Sequence, residues 1–215
     1  MTENEEFIYE SLIMQVRMGF FSIEEITENV LEEVEDNGFE DEISEEWVQE
    51  RLDSEYKKYV EESRSWSKPT DTEKLIAAFD ELCKQNIIAL HNAGYEMSDG
   101  EYEVVEVERE LRKKGIESDG YCFYHEQDLA RAVIGEKPDL YVAFQKIDNK
   151  DAKVAISVGK KVCEVLNNFG LKTVWNGEVT TRIQIPDFRW QRVYNDEDRD
   201  LLDYEEVVNL MISNS

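Results

Sequence analysis

The sequence is poor in the residues on which many catalytic and structural motifs depend. It holds two histidines and three cysteines among 215 residues. Cys83, Cys122 and Cys163 lie far apart and among apolar neighbours, which argues against both a disulfide framework and a zinc site. We interpret them as small core residues in a reducing compartment. The sequence also lacks a phosphate-binding glycine loop, a nucleophile elbow and a Cys-x-x-Cys pair, so it predicts no cofactor and no metal.

Positive charge is scarce as well. Lys and Arg number 24 against 50 Asp and Glu, which gives a net charge of −26. Such a field repels phosphates and anionic lipids, so we expect no binding to nucleic acid or to membranes. It favours a basic protein as a partner. Two alternatives remain open, namely a generic acidic surface and mimicry of nucleic acid by residues 1–67, which hold 21 acidic against 5 basic residues.

Long apolar runs are missing too. None approaches the roughly 20 residues that a membrane-spanning helix needs. Residues 1–6 lack the positive charge and the apolar stretch of a signal peptide. The sequence therefore predicts a cytoplasmic protein, and its 41% hydrophobic content is sufficient for a packed core. It does not predict the oligomeric state.

Proline is the last of the rare residues, and Pro69 is one of only three. It lies where the composition changes, in a segment that interrupts the helical pattern. We predict an acidic helical region over residues 1–67, a mixed α/β domain over residues 70–195 and a C-terminal helix over residues 196–215.

The acidic region has the pattern of three amphipathic helices. Ile8, Leu12 and Val16 lie one turn apart and predict the first. Ser22 and Glu25 form a capping box that predicts the start of the second. The third is predicted to follow Ser44.

The mixed region alternates helical patterns with short apolar runs. We expect an α/β (α+β) fold, with a mixed sheet of about five strands and helices on at least one face. Asn176-Gly177 predicts a hairpin between the last two strands. The predicted strands are Asn86–His91, Tyr121–Tyr124, Leu140–Phe144, Leu171–Trp175 and Arg182–Ile185. The predicted helices include Tyr102–Lys114, Gln127–Ile134, Lys153–Phe169 and Asp203–Ile212.

Several short motifs in this region occur together. They are Ile88-Ala-Leu-His-Asn-Ala-Gly-Tyr95, Gly120-Tyr-Cys-Phe-Tyr-His-Glu-Gln-Asp128, Val174-Trp-Asn-Gly177, and Arg182-Ile followed by Trp190. In this combination the chain resembles an uncharacterised bacterial family built on a domain of unknown function. The resemblance covers roughly residues 70–194, and it implies no known activity.

The first candidate site is the junction at Gly120–Asp128, where a strand runs into a helix. A strand end is a common ligand-binding position in α/β folds. Asp128 lies one helical turn from His125 and is able to hold the imidazole in one tautomer, as in a general base. The alternative is that these side chains cap the helix.

The second candidate is His91 with Asp99, which also follows a predicted strand. Two histidines with a carboxylate would resemble a metal site, although the spacing matches no known motif. A role in a turn is the alternative for Asp99 and its neighbours.

The third candidate is a local concentration of basic and aromatic residues within an acidic chain. Strand alternation places Arg182 and Gln184 on one face, opposite Ile183 and Ile185. Such a surface suits a carboxylate or an acidic segment. The alternative is that these arginines pair with the chain's own acids. The predicted binding residues are Tyr124, Trp175, Arg182, Trp190 and Arg192.

Two hypotheses about function follow. The first is an acidic, non-enzymatic binding or regulatory protein that acts on a macromolecular partner. The alternative is a small-molecule-binding protein or hydrolase that uses His125 and Asp128 with His91 and Asp99 at the sheet edge.

Overall fold

The chain divides into two compact units. The structure is a computed structural model that describes residues 1–135, 137–148 and 151–214. The helical unit comprises Met1–Lys68 and Gln191–Asp200, and the mixed unit comprises Pro69–Trp190 and the segment that begins at Leu201. Within the described residues, no helix is long and apolar enough to cross a membrane.

The helical unit contains the three predicted helices, whose apolar faces form one buried core. Side-chain oxygens of Thr2, Ser22 and Ser44 accept backbone N–H groups and cap the first turns, as the pattern at Ser22 predicts. Gly19 ends the first helix in the left-handed conformation, with φ of 64°. The bounds are α1 (Glu3–Met18), α2 (Ile23–Asp36) and α3 (Glu45–Ser63).

The mixed unit combines helices with short strands, and the α+β class is confirmed. Its first helix starts at a capping box of Thr70 and Glu73, in which each side chain accepts the backbone N–H of the other residue. In the described residues the elements are α4 (Asp71–Lys84), β1 (Ile87–Leu90), α5 (Met97–Lys113), β2 (Gly120–Phe123), α6 (Glu126–Ile134), β3 (Leu140–Gln145), α7 (Ala152–Asn168), β4 (Ile183–Ile185) and α8 (Tyr204–Ile212).

The sheet is mixed, in the order β1-β2-β3-β4, with β1 and β2 parallel and the other pairs antiparallel. The prediction of about five strands is wrong, since the described residues form four. The predicted strand Leu171–Trp175 is reduced to one antiparallel bridge between Val174 and Gln184. Val174 is 49% exposed, so a longer ladder of backbone hydrogen bonds at this position would bury little apolar surface. The backbone N–H of Thr173 donates to the side chain of Asn167 instead.

Helices cover both faces of the sheet. Gly120 of β2 lies against Val158 of α7, whereas Phe123 of the same strand lies against Gly100 of α5. Because successive side chains along a strand point to opposite faces, α7 and α5 cover opposite sides. We call these the α7 face and the α5 face. Helix α4 packs beside α7, and α8 packs beside α5.

Candidate functional site

The ends of β1 and β2 bring the two histidines to the same edge of the sheet. The strands are parallel neighbours with Leu90 opposite Phe123, and His91 and His125 follow shortly after. The backbone N–H of Ala93 donates to the carbonyl of Tyr124, which ties the two loops together.

The histidine side chains nevertheless lie on opposite faces. The ring of His91 stacks on Phe79 of α4, with centroids 4.6 Å apart, and its Nδ1 lies 3.2 Å from the hydroxyl oxygen of Tyr124. His125 is the residue after Tyr124, so its side chain points the other way, towards Arg182 on the α5 face. The structure therefore does not bring the two histidines into one site.

Asp99 serves as a helix cap at the start of α5. Its Oδ2 accepts the backbone N–H groups of Tyr95 and Glu96, at 3.2 and 3.0 Å. Asn92 adopts a left-handed φ of 46° in the preceding turn. In the part of the chain that the structure describes, no group of three or more His, Cys, Asp or Glu side chains is placed to hold a metal ion.

His125 is a neutral, buried capping residue. Its Nδ1 accepts the backbone N–H of Asp128 at 3.4 Å, and its Nε2 lies 3.0 Å from the Oδ2 of the same residue. Burial lowers the pKa of His125, and the guanidinium groups of Arg182 and Arg131 lower it further, against the opposing effect of the Asp128 carboxylate. With Nδ1 as an acceptor, the neutral ring carries its proton on Nε2 and donates it to Asp128, so the 3.2 Å approach of Arg182 Nη1 to Nε2 is a contact between two donors and not a hydrogen bond. Both ring nitrogens are therefore engaged.

The carboxylate of Asp128 is the centre of the site. It is 1% exposed, yet it contacts two arginines from different elements. Its Oδ1 lies 2.5 Å from Nη2 of Arg131 in α6, and its Oδ2 lies 2.6 Å from Nη1 of Arg182. With a neutral imidazole, one negative and two positive charges leave a net charge of +1. We call His125, Asp128, Arg131 and Arg182 the Asp128 cluster.

Arg182 is held on one side and remains partly accessible on the other. Both of its contacts within the Asp128 cluster are made by Nη1. Its guanidinium lies 5.2 Å from the ring centroid of Tyr141, and 31% of the side chain is exposed. Among the described residues, the guanidinium has no hydrogen bond through Nε or Nη2.

A cavity of about 200 Å³ adjoins Arg182 on the α5 face. The rings of Tyr121 and Phe123 stack in its wall, with centroids 6.1 Å apart and planes 16° apart. Met97 and Glu101 of α5 complete that side. Burial raises the pKa of the Tyr121 hydroxyl, and the neighbouring carboxylate of Glu101 adds to the effect. The cavity is thus lined by aromatic residues that include a neutral phenol, and by Arg182 and Glu101.

The other four predicted binding residues do not line this cavity. Tyr124 and Trp190 are buried and pack on each other, with centroids 6.0 Å apart. Trp175 packs edge-on against Phe144, which lies against α7. Arg192 belongs to the helical unit, where its Nε donates to the carbonyl of Gly19 at 2.9 Å.

Sequence reasoning missed most of the cavity. The signal for its aromatic wall was present, since alternation along β2 places Tyr121 and Phe123 on the same face as His125. The contact between Arg131 and Asp128 was also predictable from the sequence, because Arg131 lies one helical turn after Asp128. No local pattern in the sequence predicted that Glu101 lies beside this face of the sheet.

The fold and the site define an α+β protein with an aromatic-lined cavity that carries one basic and one acidic residue. Residues 1–194 match the model of a domain of unknown function, DUF6891, so the chain belongs to this family. The resemblance to a family of unknown function is confirmed, and the match extends over the N-terminal helices. Its bacterial origin stays a prediction. No curated protein and no solved structure matches the chain.

Proposed function

We propose that the chain is a non-enzymatic binding protein whose mixed unit takes up a small molecule with an anionic group at the cavity beside Arg182. One observation carries this proposal. The guanidinium of Arg182 is fixed through Nη1 by a buried carboxylate, and Arg182 is one of the residues that line an aromatic-walled cavity.

The chemistry of the cavity suits a carboxylate. A guanidinium stays charged at all physiological pH values, and its planar fork matches the two oxygens of a carboxylate. Asp128 restricts the orientation of Arg182 before any ligand arrives, which lowers the entropic cost of binding. Of the two stacked rings, Tyr121 is 8% exposed and Phe123 is fully buried, so the Tyr121 ring offers the apolar contact on this side of the cavity. A few fixed polar groups in an apolar setting are typical of ligand sites.

The geometry supports binding more than catalysis. A general base needs a free acceptor within hydrogen-bond reach of a substrate proton. In His125 one nitrogen accepts from the backbone and the other faces Asp128, and the residue is 4% exposed. The carboxylate of Asp128 is itself paired with two arginines. Binding at Arg182 leaves all of these bonds intact.

Replacement of Arg182 by glutamine is expected to weaken binding at least tenfold, because hydrogen bonds to a charged group contribute about 1.5–3 kcal/mol. The measurement is calorimetric titration at about 0.15 M salt. The probes are carboxylates of five to nine carbons, with and without an amino group. Arg182→Lys keeps the charge without the fork and is expected to bind with intermediate affinity.

Arg131→Gln is the matched control, because Arg131 contacts the same carboxylate from α6 but does not line the cavity. It is expected to keep the wild-type affinity. The proposal fails if no probe binds the wild-type protein at millimolar concentration, or if Arg182→Gln binds as tightly as the wild type. Thermal unfolding of each variant establishes that it is folded.

A second candidate function is the binding of a basic macromolecular partner by the helical unit. The observation that favours it is the distribution of charge. The helices turn their apolar faces inward, so the acidic residues of this region lie on the outer faces. Electrostatic attraction of this kind is long-range and weakens as salt screens it.

Neutralising one outer face of α2 tests this candidate. We expect the variant in which Glu24, Glu28, Glu32 and Glu35 are all replaced by glutamine to retain less partner in low-salt pull-downs. The retained partner should leave the wild-type protein as salt rises. Four exposed Glu→Gln changes in the mixed unit provide the control. A partner that neither the variant nor salt affects would rule out this function.

A further inference from the structure

The cavity beside Arg182 carries a second charged side chain. Glu101 lies in the first turns of α5, is exposed, and lines the same cavity. Its carboxylate is close enough to the Tyr121 hydroxyl to raise the pKa of that group. The residues that line the cavity therefore include one cation and one anion, together with the Tyr121 ring.

We infer that the ligand is a zwitterion of amino-acid size, whose carboxylate pairs with Arg182 and whose ammonium group pairs with Glu101. The apolar part of the ligand then lies against the Tyr121 ring. This inference rests on the proposed binding of an anionic group at Arg182, and it adds the chemical class of the ligand.

The volume of the cavity bears on the size of the group that it holds. At about 200 Å³ it is below the range of drug-sized sites, which begins near 300 Å³. The cavity therefore suits a group about the size of an amino acid, and because it opens to solvent a longer ligand would extend outward from it.

The charge of the whole chain favours a zwitterion over a simple anion. With a net charge of −26, the long-range field repels an approaching carboxylate. A zwitterion has no net charge, so the field does not oppose its approach. The carboxylate of the zwitterion is still able to pair with Arg182, because the local charge of the Asp128 cluster is +1. Glu101 supplies the complementary acceptor for the ammonium group.

Matched ligand pairs test the inference. The probes are leucine with 4-methylpentanoate, and phenylalanine with 3-phenylpropanoate, which differ within each pair by the amino group. Calorimetric titration of the wild-type protein should show at least one amino acid binding about fivefold more tightly than its partner, the range of a solvent-exposed ion pair. Glu101→Gln should remove this preference without weakening the binding of the simple carboxylate.

The outcomes separate this inference from the proposed function. Equal affinities within both pairs would overturn the zwitterion and leave anion binding at Arg182 in place, as would a preference that Glu101→Gln retains. No binding of any of the four probes to the wild-type protein would overturn both. Glu103→Gln provides the control, since this neighbouring acidic residue does not line the cavity. That variant is expected to keep the preference.

Discussion

Replacing Asp128 by asparagine is expected to destabilise the mixed unit by about 3 kcal/mol, in the range measured when one partner of a buried ion pair is removed. The substitution keeps the size of the side chain but removes the charge that compensates two guanidinium groups. An amide also presents an NH₂ group to partners that are themselves donors. The Asp128 cluster then lacks the negative charge that both arginines contact, and Arg182 lacks the ion pair that orients it.

The measurement is urea unfolding, followed by hydrogen exchange of the β2 amides so that the mixed unit is observed by itself. Asp119→Asn makes the same change of charge at an exposed residue and should shift stability by less than about 0.5 kcal/mol. A loss for Asp128→Asn as small as that of this control would contradict the central role given to the buried carboxylate. We also expect weaker ligand binding by Asp128→Asn, because Arg182 is no longer held.

Replacing Phe79 by alanine is expected to cost about 3–5 kcal/mol, the range for removing a buried aromatic side chain. Phe79 is 1% exposed and stacks on His91, with Tyr124 beside it. These contacts lie on the face opposite Arg182, so ligand affinity should stay unchanged at temperatures where the variant is folded. The same exchange experiment measures the loss of stability, and calorimetric titration measures the affinity.

Tyr102→Ala is the control for this substitution. It also removes an aromatic ring, but from a residue that is 63% exposed, and should change stability by less than about 0.5 kcal/mol. If Phe79→Ala weakened ligand binding as strongly as Arg182→Gln while still folded, the two faces of the sheet would be coupled. The assignment of the histidines to separate environments would then be wrong.

Local signals in the sequence predicted the helices well. The capping box at Ser22 correctly predicted the start of the second helix, because it depends on two residues only three positions apart. The prediction of a strand at Leu171–Trp175 was wrong because strand pairing is not determined by local residues alone. Its pairing depends on how much apolar surface a ladder would bury against the rest of the unit, and half-exposed Val174 buries little.

The Asp128 cluster shows the same limit. Spacing along one helix turn was enough to associate His125 with Asp128. Arg182 lies 54 residues from Asp128 and joins it through the pairing of β4 with β3, which no short-range pattern encodes. The separation of the histidines depends on a single residue. His91 follows Leu90 directly, whereas one further residue precedes His125, and that offset places the two side chains on opposite faces.

The most direct test of the account is a titration of the protein with leucine, observed by nuclear magnetic resonance at the side-chain Nε–H of Arg182. Loss of this signal in Arg182→Gln assigns it. The account predicts that the Arg182 signal and the ring signals of Tyr121 and Phe123 shift together and saturate, while the ring signals of His91 and Trp190 stay in place. An Arg182 signal that does not move while the protein is saturated with leucine, or that moves only with the His91 ring, would contradict it.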